Sequence, residues 1–126
     1  MIAPAKPLDD VLEKELTTQI VDLARTLGWR RYHTHDSRRS AHGFPDEVLV
    51  RDRLILLELK REKGKLTPEQ AAWITDLLNA GAEVYVVRPR DLQQIAEILA
   101  ARRRPTNTPL WHSTRTEAHD RKEKTP

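Results

Sequence analysis

The segment 54–60 reads Leu-Ile-Leu-Leu-Glu-Leu-Lys, and it constrains the fold more than any other part of the chain. Its almost continuous apolar character predicts a strand that is buried on both faces of a sheet. A glutamate and a lysine in such a strand are costly for stability unless another charge or a metal ion compensates them. Because side chains alternate along a strand, Glu58 and Lys60 share one face, whereas Leu57 and Leu59 occupy the other.

Hydrophobic periodicity and turn residues predict the other elements. Apolar residues three and four positions apart predict an amphipathic helix over 8–27. Thr67-Pro68-Glu69-Gln70 combines an N-cap threonine, a first-turn proline and the glutamine of a capping box, so a second helix starts there. The predicted elements are a helix over 8–27, strands over 29–33, 47–50 and 54–61, a helix over 67–80, a strand over 83–88 and a last helix that opens at Pro89 and Asp91. This order predicts an α/β protein with a small mixed β-sheet flanked by helices.

Length and composition bound the organisation of the chain. With 126 residues, we expect a lead-in over 1–7, one domain over 8–101 and a basic, disordered tail over 102–126. The absence of cysteine excludes a disulfide scaffold, a thiolate zinc site and a cysteine nucleophile. No apolar run approaches membrane-spanning length, and the N-terminus lacks the layout of a signal peptide. We therefore expect a cytoplasmic protein without membrane contact, and we expect no organic cofactor.

The excess positive charge lies in the tail. Residues 102–126 contain seven Lys/Arg and three Asp/Glu, a net charge of +4, whereas the first 101 residues contain 15 bases and 16 acids. A near-neutral domain with a basic tail is compatible with a nucleic-acid partner. A solvated tail that keeps the protein soluble explains the same composition.

A second carboxylate, Asp46, precedes the strand over 47–50. If this strand and the next form a hairpin, Asp46 meets Glu58 and Lys60 at one rim of the sheet. Two carboxylates at that distance suit a hard cation such as Mg²⁺ or Mn²⁺, which polarises a phosphodiester, and the lysine can stabilise the charge that develops on it. The alternative is a lysine–glutamate pair at a sheet edge, with the lysine head in solvent. His33 and His35 form a His-x-His pair, but further ligands at the short spacing of a zinc site are lacking.

Several segments together resemble the VRR-NUC group of PD-(D/E)xK nucleases. The resemblance spans about 13–99, and the segments that carry it are Gly43-Phe44-Pro45-Asp46, Glu58-Leu59-Lys60, Gly64-Lys65-Leu66-Thr67-Pro68-Glu69-Gln70 and Gly81 before a valine-rich strand. It implies a restriction-endonuclease-like core (αβββαβ), Mg²⁺ or Mn²⁺, and cleavage of DNA phosphodiester bonds, often in branched or junction DNA. We also expect a bacterial or phage-encoded protein.

The resemblance further implies roles for individual residues. Asp46, Glu58 and the Leu59 carbonyl would bind the metal ion, and Lys60 would serve the nucleophile or the transition state. Gln70 would hydrogen-bond the catalytic lysine or a substrate phosphate, although its capping-box position explains it equally well.

The family also carries an acidic residue on the first helix, for which Glu13 and Glu15 are candidates. Glu13 lies about 50° from the centre of the apolar stripe and Glu15 about 110°, so Glu13 is better placed to reach the sheet. The family usually has glutamine four residues after this acid, and this chain has Thr17 there. Either glutamate could instead be a solvated surface residue.

Basic and polar residues near these motifs are candidates for nucleic-acid binding. They are Arg38, Arg39, Ser40, His42 and Lys65. A basic loop beside a metal site is a natural phosphate clamp. A solvated charged loop is the alternative reading of the same residues.

The leading hypothesis is a divalent-metal-dependent DNA endonuclease that acts as a homodimer, because one small domain offers little surface to a duplex. The second hypothesis is a DNA-binding module that keeps the nuclease fold without cutting, which the departure at Thr17 favours. The third is an accessory protein whose basic tail contacts acidic partners.

Overall fold

The computed structural model describes residues 6–34 and 42–105, which form a mixed four-stranded sheet with helices on both faces. After a 3-10 turn at Leu8–Asp10, its elements are α1 (Glu13–Thr26), β1 (Arg30–His33), β2 (Glu47–Val50), β3 (Leu54–Leu59), α2 (Pro68–Asn79), β4 (Glu83–Val87), a 3-10 turn at Pro89–Asp91 and α3 (Leu92–Ala100). This architecture confirms the predicted α/β class and the order of the elements. None of the helices in the described part of the chain is both long and apolar enough to cross a membrane.

The strands lie in the order β1-β2-β3-β4, so β3 is interior and β1 forms an edge. The pairs β1–β2 and β2–β3 are antiparallel, whereas β4 is parallel to β3 and reached through α2. Glu47 is the partner of Leu57 in the β2–β3 register. The same register carried one step further brings Asp46 opposite Glu58, as the hairpin prediction required.

Two apolar layers hold the sheet between its helices. On one face, α1 and α3 pack on the layer that contains Leu49, Leu57 and Val87. On the other face, α2 packs through Ile74 on the layer that contains Leu56. Because Glu58 has the same parity as Leu56, it projects toward α2, and its polar neighbours must come from that helix or from the rim of the sheet.

Some predicted boundaries and one burial prediction were wrong. The first helix starts at Glu13 rather than residue 8, because Leu12 is extended and its N–H is capped by the Glu15 side chain. β3 ends at Leu59 rather than residue 61, because the chain leaves the sheet ahead of the turn at 62–63, and β4 ends at Val87 rather than residue 88. Leu54 is 52% exposed rather than buried, because it starts β3 beside the β2–β3 turn.

The β2–β3 turn, at the opposite end of β3 from Glu58, anchors the end of α3. Arg51 donates from Nη1 to the Leu99 carbonyl at 3.0 Å, and its guanidinium lies 4.4 Å from the Trp29 ring centroid. Arg53 donates from Nη2 to the Ile98 carbonyl at 2.6 Å and from Nε to the buried Glu83 carboxylate at 3.0 Å. Arginine side chains thus satisfy the carbonyls that the end of a helix leaves unpaired.

Candidate active site

Glu58 is a buried acid in the interior strand of the sheet. Its side chain is 1% exposed, and Oε2 accepts a hydrogen bond from Gln70 Nε2 at 3.1 Å. Oε1 is buried as well and has no hydrogen-bond partner among residues 6–34 and 42–105. A buried carboxylate oxygen without a partner is costly, so this position favours a proton or a cation next to Oε1.

Asp46 is fixed at the same end of the sheet. Its Oδ2 accepts a hydrogen bond from the Leu59 N–H at 2.9 Å, which ties the residue before β2 to the last residue of β3. Burial, followed by the negative charge of Asp46, raises the pKa of Glu58 to about 9, whereas the Lys60 ammonium lowers it. Without a cation, Glu58 therefore holds a proton at neutral pH beside a second acid.

Lys60 follows β3 and is half-buried. Its N–H donates to the Val87 carbonyl at 3.0 Å, so the backbone continues the parallel ladder by one residue. Its positive charge lowers the pKa of Glu58 and also that of Glu13. The ammonium is therefore an electrostatic partner of the acids at this rim.

The two candidate acids on α1 have different surroundings. Burial, followed by the charge of Asp46, raises the pKa of Glu13, which places Glu13 within electrostatic reach of the site. Glu15 instead accepts a hydrogen bond from the Leu12 N–H at 2.9 Å and forms an ion pair with Lys6 at 2.7 Å. Glu15 thus caps the helix, whereas Glu13 interacts with the site acids.

Gln70 combines the two roles that the sequence left open. Its Oε1 accepts from the Thr67 N–H at 2.9 Å, and its own N–H donates to Thr67 Oγ1 at 3.1 Å, which completes the capping box of α2. Its Nε2 donates to Glu58, and no hydrogen bond from it to Lys60 is present in the described structure. Gln70 is therefore a positioning residue for Glu58.

The loop before Asp46 docks on the first turn of α2. Gly43 has φ +93°, and a Cβ added there would lie 2.5 Å from the Glu69 carbonyl carbon. Phe44 packs edge-to-face on Trp73 with 5.1 Å between ring centroids. This close approach, which a glycine permits, fixes Asp46 and Gln70 relative to each other.

The acids fit a divalent cation of the Mg²⁺ type. The partnerless Oε1 of Glu58 and the neighbouring Asp46 carboxylate are hard oxygen donors with negative charge to neutralise. Within the two described ranges, no three His, Cys, Asp or Glu side chains are grouped closely enough to form a metal-binding cluster. Magnesium sites commonly use one or two carboxylates, with water completing the octahedron, so the Asp46–Glu58 pair is a sufficient protein contribution.

The predicted nucleic-acid contacts are only partly within the described structure. Arg38, Arg39 and Ser40 lie outside the described residues. His42 and Lys65 are both exposed, His42 just before Gly43 and Lys65 in the segment between β3 and α2.

A buried charged cluster beside this rim was missed in the sequence. Glu47, which directly follows Asp46, is 1% exposed. It accepts from Arg31 Nε at 2.6 Å and from Arg31 Nη2 at 2.9 Å, and its Oε2 lies 2.7 Å from His33 Nδ1. Because strand side chains alternate, the sequence already indicates that Glu47 shares a face with Leu49 and needs a partner if that face is buried. Which residues are its partners depends on the register of β1.

Comparison with known proteins identifies one family. The family model described as the VRR-NUC domain matches residues 7–91 of the chain. No curated protein and no solved structure gives a significant match to the chain. The VRR-NUC domain is a nuclease-like, DNA-processing domain, and its match covers both acids of the rim, the lysine and the capping box of α2.

Proposed function

The chain belongs to the VRR-NUC family, and from this premise we propose that it is a divalent-metal-dependent DNA endonuclease that hydrolyses phosphodiester bonds. The observation that carries the proposal is the buried, partnerless Oε1 of Glu58 next to Asp46. The hydrogen bond from Gln70 satisfies Oε2, so Oε1 is the oxygen that is left for a ligand.

Asp46, Glu58 and the Leu59 carbonyl would hold Mg²⁺ or Mn²⁺, and Glu13 would assist them. The bound ion would supply positive charge that polarises the scissile phosphodiester. Lys60 stabilises negative charge that develops on the phosphoryl oxygens, or it orients the attacking water. Gln70 holds Oε2 of Glu58 by its hydrogen bond, and Oε1 would be the oxygen that binds the ion.

The substrate we propose is branched or junction DNA, bound by a homodimer that places two sites on two strands. Arg38, Arg39, Ser40, His42 and Lys65 would contact the phosphate backbone. Light scattering of the full chain at working concentration should give the mass of a dimer. A strict monomer would refute the dimer and leave the hydrolytic proposal intact.

A cleavage panel tests the activity. Linear, flapped, forked and four-way DNA would be incubated with Mn²⁺ or Mg²⁺ and the wild type, Glu58→Ala or Lys60→Ala. The exposed Glu69, one residue from Gln70, provides the control variant Glu69→Ala. We expect branched DNA to be cut fastest and both site variants to lose about 100-fold or more in rate. The control should retain the wild-type rate, and equal rates in all four proteins would refute the assignment.

The second candidate function is DNA binding without cleavage. Thr17, which stands where the family usually has glutamine, donates its hydroxyl to the Glu13 carbonyl at 2.9 Å and so is satisfied within α1. Restoring the amide by Thr17→Gln discriminates the two functions. Salt-dependent DNA binding without turnover in the wild type, together with metal-dependent turnover in Thr17→Gln, would select the binding module.

A further inference from the structure

We propose that Arg31 and His33, both oriented by the buried carboxylate of Glu47, form a binding position for a DNA backbone phosphate beside the active site. The inference rests on the proposed action on DNA, and it concerns a phosphate next to the one that is cleaved. None of the three residues belongs to the metal-binding set or to the phosphate contacts predicted from the sequence.

The first step of the argument is the burial of Glu47. A fully buried carboxylate needs a partner, and replacing a buried ion pair by well-packed apolar residues is often neutral or stabilising. Glu47 is held by two side chains of β1, through both of its oxygens. Glu47 therefore fixes the orientation of Arg31 and His33, and stability alone does not account for a carboxylate at this position.

The second step is that both partners keep an outward-facing end. The Arg31 side chain is 33% exposed and the His33 side chain 47% exposed. Arg31 uses Nε and Nη2 for Glu47, and its Nη1 makes no hydrogen bond or ion pair with any other described residue. His33 uses Nδ1, so Nε2 lies on the opposite side of the ring.

The third step is charge. The Arg31 guanidinium offsets the charge of Glu47, and its outward Nη1–H is a charge-assisted donor. The outward Nε2 of His33 lies on the same edge and adds a second polar atom. An oxygen-rich anion such as a phosphate of the DNA backbone suits this edge.

The fourth step is position. His33 is the β1 partner of Glu47, and the next residue, Thr34, donates its N–H to the Asp46 carbonyl at 2.9 Å. Because side chains alternate along a strand, Arg31 and His33 project with Glu47 from the face of the sheet opposite Glu58, while the backbone of His33 and Thr34 lies at the same rim as Asp46, one strand spacing of about 4.8 Å away. A DNA strand that crosses this rim from the scissile bond toward β1 brings a neighbouring phosphate to the pair, since phosphates of one strand repeat about every 3.4 Å along the helix axis.

The test measures binding of the full chain to a fluorescein-labelled four-way DNA junction by anisotropy in EDTA, where no turnover contributes. His33→Asn keeps an amide donor for Glu47 in place of Nδ1–H and removes Nε2. The matched control is Arg30→Gln, which removes an exposed positive charge from the opposite face of the same strand. We expect His33→Asn to raise Kd about 3- to 10-fold, whereas the control stays within about twofold.

Equal Kd values for His33→Asn and the wild type would overturn the inference. An equal increase of Kd in Arg30→Gln would also overturn it, since any positive charge on β1 would then have the same effect on DNA binding. A lower melting temperature with unchanged Kd would show a structural role alone. If His33→Asn fails to fold, Arg31→Lys provides the second variant, because it keeps one ion pair with Glu47 and removes the Nη1 donor. A wild-type Kd in that variant also overturns the inference.

The outcomes separate this inference from the proposed nuclease function. Weaker junction binding by His33→Asn in a protein that cuts no DNA would refute the nuclease and retain the phosphate position. Wild-type binding and cleavage by His33→Asn would refute the phosphate position and retain the nuclease. Absence of any junction binding by the wild type would overturn the phosphate position, and the cleavage panel would still decide the nuclease.

Discussion

Gln70 donates a hydrogen bond from Nε2 to Oε2 of Glu58 at 3.1 Å, while its Oε1 accepts from the Thr67 N–H at 2.9 Å. One side chain therefore closes the cap of α2 and holds a buried acid of the neighbouring strand. Since α2 is the crossover between the parallel strands β3 and β4, it begins close to the end of β3, and its first turn therefore lies at the rim of the sheet. The helix start that the sequence marks most clearly is thus also part of the site.

The two roles of Gln70 can be separated by a pair of variants. Gln70→Ala loses the cap contact and the contact with Glu58, whereas Thr67→Ala loses the cap hydroxyl and keeps the amide next to Glu58. Both should cost about 1 kcal/mol of stability, as is typical for a lost cap. We expect Gln70→Ala to lower the rate of DNA cleavage about tenfold and Thr67→Ala to leave it near the wild-type value. Equal rates in the two variants, measured in single-turnover cleavage, would show that Gln70 serves the cap alone.

The pKa of Glu58 gives metal-free stability a defined pH dependence. The native state keeps the proton up to about pH 9, whereas the unfolded chain loses it near the ordinary value of 4.5. Below pH 4.5, the raised pKa of Glu58 therefore does not lower the free energy of unfolding. The free energy of unfolding falls as the pH rises between these values, and the loss is complete above about pH 9. Glu58→Gln removes the titration and keeps the shape of the side chain.

In EDTA, Glu58→Gln should be more stable than the wild type at pH 8, by about 2 kcal/mol or more, with the difference shrinking toward pH 5. Thermal unfolding of both proteins from pH 5 to 9 measures this. Parallel curves over that range would contradict a raised Glu58 pKa in the native state.

Added divalent cation should reverse this cost. A cation that binds the native state at about 100 times its dissociation constant stabilises by about 2.7 kcal/mol, so Mn²⁺ should raise the melting temperature of the wild type by about 10 °C or more. Asp46→Asn should lose most of this increase, whereas Asp76→Asn, at an exposed position on α2, should keep it. A similar shift in both variants would mean that Mn²⁺ binds elsewhere.

Gly43 and Gly81 form a matched pair of glycine positions. Both have positive φ, +93° and +89°, but a Cβ at Gly43 would meet the Glu69 backbone at 2.5 Å, whereas a Cβ at Gly81 has nothing within 4 Å. Gly81→Ala should therefore cost about 1 to 2 kcal/mol for the backbone conformation alone. Gly43→Ala should cost more and should also displace Asp46 from α2, with loss of cleavage. Chemical denaturation and the cleavage assay measure the two effects, and equal costs would exclude a clash at Gly43.

The charged cluster at the far end of the sheet should matter for stability alone. Arg53 donates to Glu83, which is buried and also accepts from the Tyr85 hydroxyl at 2.7 Å, and to the Ala101 carbonyl. Arg53→Ala leaves a buried carboxylate without its cation and should cost about 3 to 5 kcal/mol. The cleavage rate per folded molecule should be unchanged, because Arg53 and Glu58 lie at opposite ends of β3. A stability change below about 1 kcal/mol would show that Glu83 does not depend on Arg53.

Local sequence was sufficient for most of the fold. The alternation of strand side chains put Glu58 and Lys60 on one face, and the spacing of two strands brought Asp46 toward Glu58. The Thr67 cap and the apolar stripe of α1 likewise depend on residues within a few positions of one another. These features are encoded in short segments, so they can be read without knowing which elements meet.

The tertiary structure decided where charged groups find their partners. Glu47 pairs with Arg31 and His33 because of the register of β1. Arg53 caps α3 because the end of that helix, 45 positions later in the chain, packs beside it. The exposure of Leu54 likewise depends on its place beside the β2–β3 turn. The sequence by itself thus determined the elements and the acid pair of the rim. The partners of a buried charged side chain come from residues far apart in the chain. They are therefore decided only when the sheet and its helices have packed.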